Sequence, residues 1–109
     1  MVFGCRSTRQ GIAPGADSID KLVNALKALA DPTRLCILQY LGEQPLTPTE
    51  LSRRLRLRPP TVLHHLRMLR LAELVTIHIS EGGEKRYSAR VETTGQVFKA
   101  LTDHLAGQE

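Results

Sequence analysis

The stretch from Leu51 to Ala72 constrains this chain most. It contains six arginines (Arg53, Arg54, Arg56, Arg58, Arg67 and Arg70) and neither Asp nor Glu. Six of the fifteen Lys and Arg of the chain therefore fall in one window. Globular surfaces normally mix both signs, so an acid-free basic stretch points to an anionic partner, phosphate above all. Within it, Val62, Leu66 and Leu69 recur at i, i+4, i+7 and make one apolar helical stripe. At about 100° per residue, Pro60, His64, Arg67 and Leu71 fall on the opposite face. Thr61 and Met68 flank that face on one side, Leu63 and Arg70 on the other. Pro59-Pro60 suit the first helical turn, whose N–H groups have no intrahelical partner. Taken alone, the segment reads equally well as a solvated amphipathic helix.

The preceding residues shift that balance. Thr47-Pro48-Thr49-Glu50 is a capping box with proline in the first turn, and it predicts a short helix from Pro48 to Leu55 with Leu51 and Leu55 inward. Arg56-Leu57-Arg58 then forms a tight turn. Two helices joined by so short a turn, the second one basic, make a helix-turn-helix.

Further upstream, Ile19, Leu22, Val23, Leu26, Leu29 and Ala30 follow 3/4 spacing and predict a first helix over Asp17–Ala30, capped by Asp17 or Ser18. Asp31-Pro32 opens a second helix. Leu35, Cys36, Ile37, Leu38 and Leu41 cover most of its circumference, so it is expected to be buried, with Cys36 a small core hydrophobe and Gly42 at its end. Arg34 is expected to brace this helix. Residues 1–16 show no periodicity and are expected to be an irregular tail preceding a domain over 17–109.

Downstream, Val75, Ile77 and Ile79 alternate with polar residues, Glu81-Gly82-Gly83-Glu84 supplies a turn, and Tyr87, Ala89 and Val91 alternate again. This is a hairpin, a wing beside the helix-turn-helix. Gly82-Gly83 precedes a strand, not a helix, so it is no phosphate-cradling loop. A final helix is expected from about Thr94 to Ala106, with Val97, Phe98, Leu101 and Leu105 as its stripe. The fold class is mainly α with a small β-hairpin wing, in the order α-α-α-α-β-β-α.

With 109 residues the chain forms one domain of modest core, and oligomerisation would add apolar burial. A net charge of +4 favours nucleic acid over a membrane surface. No apolar run approaches bilayer length and no secretory signal is visible. Two cysteines are too few for a disulfide framework, so a reducing cytoplasm is expected. The chain is also readable as part of a longer protein.

The segments LKALADPTRLCILQYL (Leu26–Leu41), TELSRRLRL (Thr49–Leu57), PTVLHHLRMLRLAELV (Pro60–Val75) and KRYSAR (Lys85–Arg90) resemble the ArsR-type (arsenic-repressor-like) winged-helix transcription factors. The resemblance covers about residues 20–106. It implies a bacterial or archaeal homodimer that binds operator DNA and usually represses. It also implies a dimer interface built from the first and last helices: Ile19, Leu22, Val23 and Leu26 with Val97, Phe98, Leu101 and Leu105. Two departures stand out. Members often carry Ser-Gln before Pro-Thr-Val, where this chain has Arg58-Pro59, and usually Ser after Thr-Val, where it has Leu63. The thiolate-sensor cysteine pair is missing from Leu46–Leu51. On the last helix only Asp103, His104 and Glu109 are available as metal ligands, at the wrong spacing. No metal, cofactor or effector is assigned. A thiol pair of Cys36 with Cys5 has only the count of cysteines behind it.

The expected groove face is Arg58, Thr61, Leu63, His64, Arg67 and Met68. Arg53, Arg54, Arg56 and Arg70 are expected on phosphates, and Lys85, Arg86 and Arg90 form the wing. His65 projects toward the flank of the stripe, where a structural role is expected. The partner is then double-stranded DNA bearing an inverted repeat, with half-sites about 34–36 Å apart. The alternative is a winged-helix module for protein association, or the DNA-binding domain of a larger effector-sensing protein. An enzyme finds no support, because no nucleophile–base pair, acid pair or metal cluster appears and no catalytic residue is assigned.

Overall fold

A computed structural model describes residues 16–107, with side chains from residue 19 onward. The 1–16 tail expectation, Cys5 and Glu109 lie outside the described residues, apart from Ala16, which already begins a helix. The order is α1 (Ala16–Leu29), α2 (Pro32–Glu43), α3 (Pro48–Leu55), α4 (Pro59–Leu71), β1 (Val75–Ile79), β2 (Lys85–Ala89) and α5 (Val91–Leu105). This is the expected order of helices and strands. Asp17 and Ser18 fall inside α1 and so do not precede it as caps.

Each helix start follows from its sequence. Asp31, in extended backbone, accepts the Arg34 N–H at 3.0 Å, and Pro32 follows in the first turn. Thr47 Oγ1 accepts the Glu50 N–H at 3.1 Å while Glu50 Oε1 accepts the Thr47 N–H at 2.9 Å, completing the capping box. Ile37 and Leu41 from α2, Leu51 from α3, and Val62, Leu66 and Leu69 from α4 are buried in one cluster with Ala28, Leu46, Leu74, Val75 and Tyr87.

Three expectations are corrected. First, α2 is not buried all round. Leu35 is 52% exposed and Cys36 is exposed as well, so Cys36 is no core residue. Ile37 and Leu41, one turn apart, are the fully buried residues of the helix, with Leu38 and Tyr40 partly buried against the same cluster. Second, Gly42 lies within α2, which runs on to Glu43 before Gln44 turns extended. Third, α5 starts at Val91 rather than Thr94. The Arg90 N–H still pairs with Leu74 O at 2.8 Å, in register with the ladder, while the Arg90 carbonyl already accepts the Thr93 N–H at 3.1 Å, and burial of Thr93 and Val97 at i, i+4 sets the helical phase. Val91 is therefore not a strand residue and is 70% exposed.

The two strands pair antiparallel, with Val75 opposite Ala89 and Ile79 opposite Lys85. A further bridge joins the wing to the segment before α3. Leu46 and Tyr87 exchange both backbone hydrogen bonds, at 3.1 and 2.8 Å. Thr47→Ala removes one half of the capping box beside that bridge. It is expected to lower unfolding free energy by about 1 kcal/mol, read as a lower denaturation midpoint at unchanged slope.

Candidate nucleic-acid interface

The interface is built on α3 and α4. The α3 helix ends at Arg56, which adopts the left-handed region at φ 57°, ψ 43°. Its turn is closed by Leu57 N–H to Ser52 O at 3.2 Å and by the Ser52 hydroxyl donating to Leu57 O. Arg58 then stands as the N-cap of α4 with no side-chain cap bond, and Pro59 and Pro60 occupy the first turn. The Thr61 and Val62 N–H groups both donate to Arg58 O, at 3.0 and 3.1 Å.

Burial of Val62, Leu66 and Leu69 turns the opposite side of α4 outward. Arg58, Thr61, His64 and Arg67 are exposed, Leu63 is 47% exposed, and Met68 is half-buried at the edge. Arg53, Arg54, Arg56 and Arg70 are exposed around this face. The Arg54 guanidinium lies 5.5 Å from the centroid of the Tyr40 ring, a cation–π contact that orders a long side chain. Thus nine of the ten groove and phosphate candidates are exposed on the helix-turn-helix, and Met68 is the least accessible.

The wing residues differ from one another. Lys85 is exposed. Arg86 is engaged on three sides: Glu50 Oε1 at 3.3 Å, Glu84 Oε1 at 3.1 Å and Pro45 O at 3.5 Å. It ties the wing to the start of α3. The Thr47 N–H bond, aided by the Arg86 charge, holds the Glu50 carboxyl below the usual carboxylate range against the effect of desolvation. Arg90 lies 4.0 Å from Glu73, which follows closely on α4.

Two of these supports were invisible to local spacing. Arg86 and Glu50 are 36 residues apart, and Arg34 and His65, hydrogen-bonded at 3.2 Å, are 31 apart. Only long-range packing brings them together. The expected structural role of His65 fits this placement. Of the expected dimer residues, Val97 is buried within the chain, Ile19, Leu22, Leu26 and Leu101 are half-buried, and Val23, Phe98 and Leu105 are exposed. A cleft between α1 and α5 is lined by Ile19, Leu22, Val23, Leu26, Leu101 and His104. Among the described residues no three His, Cys, Asp or Glu side chains converge as metal ligands, and no helix is long and apolar enough to cross a membrane.

Helices α3 and α4 with the β1–β2 hairpin define a winged helix-turn-helix. A helix-turn-helix domain family model matches residues 29–78. The chain is 34% identical over 55 residues to the transcriptional repressor SdpR of Bacillus subtilis, a match spanning 50% of this chain and 61% of that protein. It is 29% identical over 89 residues to a transcriptional repressor SmtB homolog of Synechocystis, spanning 82% of this chain and 67% of that one. The first of these matches thus covers less than two thirds of its relative. Among solved structures, an ArsR-like transcriptional regulator from a Rhodococcus species superposes with a TM-score of 0.75 at 27% identity, covering 84% of this chain and 85% of that one. HlyU from Vibrio cholerae gives 0.61 at 33% identity, covering 84% and 97%. The chain belongs to the ArsR-type family of winged helix-turn-helix transcriptional regulators.

Arg56 holds a backbone conformation that glycine adopts without steric cost. Arg56→Gly is expected to raise stability by about 0.5–1 kcal/mol while weakening DNA binding. Thermal melting and duplex titration of the same variant check both signs.

Proposed function

We propose that this chain is a homodimeric, sequence-specific DNA-binding regulator of transcription, acting as a repressor. The observation that carries the reading is the outward face of α4, where Arg58, Thr61, Leu63, His64 and Arg67 stand exposed in a window without a carboxylate. Such a face fits the major groove, where arginine reads guanine and an apolar side chain meets the thymine methyl. Arg53, Arg54, Arg56 and Arg70 fix register on phosphates. On the wing, Lys85 and Arg90 reach toward the backbone, whereas Arg86 is assigned to holding the wing on α3. Exposed Val23, Phe98 and Leu105 beside the α1–α5 cleft support pairing through those helices.

The test is light scattering followed by selection of bound sequences from random duplex DNA near physiological salt. A dimer that enriches an inverted repeat supports the reading. A monomer with no enriched sequence favours the association module instead.

On a selected duplex, Arg58→Ala with Arg67→Ala is expected to weaken binding at least about tenfold. The plot of log affinity against log salt should flatten by about 0.9 for each phosphate that the variant no longer engages. Unchanged affinity in this double variant removes these residues from the interface.

Leu63 gives a sharper prediction. Replacing its thymine by deoxyuridine removes one methyl and is expected to cost about fourfold in affinity. The same replacement should leave the affinity of Leu63→Ala unchanged. An equal loss in both proteins excludes an apposition of Leu63 and the methyl.

A further inference from the structure

Arg34 stands in the first turn of α2 and reaches two other helices. Its Nε donates to Ala28 O at 2.7 Å and its Nη2 to Lys27 O at 3.3 Å. These carbonyls belong to the last turn of α1, where C=O groups run out of intrahelical donors and a cation meets the negative end of the helix dipole. Its Nη1 lies 3.2 Å from Nδ1 of His65 in α4. A guanidinium only donates, so Nδ1 must offer a lone pair, and the imidazole is neutral with its proton on Nε2. The groups acting on His65 are Asp31, the cap of α2, Arg34 from α2 and His64 from α4, while α1 enters through the backbone carbonyls that hold Arg34. Burial lowers the His65 pKa; Asp31 opposes that shift, and the Arg34 and His64 charges reinforce it.

The two helices joined in this way have different tasks. α1 carries half of the proposed dimer face and α4 carries the groove face. We propose that Arg34 is a positioning residue that sets the angle of α4 against α1, with neutral His65 as the acceptor this setting requires, so that acid releases the operator. The inference rests on the DNA-binding reading above. Protonated His65 loses its lone pair and faces a second cation at hydrogen-bond distance. If the bound state excludes the protonated imidazole, operator affinity falls by up to about tenfold per pH unit for each of the two protomers below the His65 pKa. The sign is diagnostic. Simple electrostatics predicts the reverse, because acid makes a protein more positive overall and so strengthens its attraction to DNA.

The experiment measures anisotropy of a selected duplex at fixed salt between about pH 7.5 and about pH 5.5, with far-UV circular dichroism at each point. The full chain is compared with His65→Asn, whose carboxamide oxygen accepts from near the Nδ1 position and does not titrate, and with Arg34→Lys. The wild type should lose affinity progressively toward the lower pH, by at least about threefold at its end, while staying folded. His65→Asn should match it at the upper pH within about threefold and stay flat or tighten in acid. Arg34→Lys should bind about tenfold more weakly at the upper pH with a shallower pH profile, since one ammonium cannot reproduce the fork of donors. Wild-type affinity that is flat or rises in acid overturns the proposal. So does a parallel loss in His65→Asn, or unfolding of the wild type over the same range. Should His65→Asn not fold, Arg34→Lys decides, and wild-type affinity and profile in that variant overturn the proposal. Failure of the wild type to bind any selected duplex at the upper pH overturns the DNA-binding reading and this proposal together.

Discussion

Burial of Val62, Leu66 and Leu69 in one cluster with Ile37, Leu41 and Leu51 fixes the rotation of α4 about its own axis. A helix has one degree of freedom that its backbone hydrogen bonds leave open, and this stripe closes it. Once it is closed, the positions of Leu63, His64 and Arg67 follow from helical geometry. The stripe is narrow, with three fully buried side chains, so the orientation of the basic face rests on few side chains. The neighbouring elements add to it: α3 through the turn at Arg56, and the wing through the Leu46–Tyr87 bridge.

The acidic residues nearest to the arginine window are occupied. Asp31 caps α2, Glu50 serves both its own helix start and Arg86, and Glu73 lies beside Arg90. Asp31 and Glu50 accept backbone donors, and Arg86 and Arg90, outside the window, lie beside Glu50 and Glu73; Arg54 within the window also acts on Glu50. A positive surface here thus depends on where the negative charges are held as much as on where the positive ones are exposed.

Much of this was legible in the sequence because it is local. The capping box at Thr47, the Asp31-Pro32 start, the stripe of α4 and the alternation in β1 all involve residues within a few positions of one another. The misreadings have the same origin. Leu35 and Cys36 look like core in a window of apolar residues, yet burial requires an element on that side, and spacing within α2 cannot supply one. Thr94 looks like a helix start, but the buried Thr93 and Val97 set the phase from Val91, directly after the last ladder bond from Arg90 to Leu74, and that burial is not visible in local spacing. The Arg34–His65 and Arg86–Glu50 pairs needed the assembled fold. The arginine positions in the site were readable; what supports Arg54, a ring on α2, was not.

The start of α4 has a chemical consequence. Helix N-termini commonly hold phosphate through free main-chain N–H groups. Here Pro59 and Pro60 have none, and those of Thr61 and Val62 are already taken by Arg58 O. From Pro59 to Val62 the first turn thus offers an anion its dipole but no free main-chain donor. Main-chain grip, which is indifferent to side-chain identity, is reduced where the helix would meet a nucleic-acid backbone. Attachment there leans on side chains, and so on residues that single substitutions can retune one at a time.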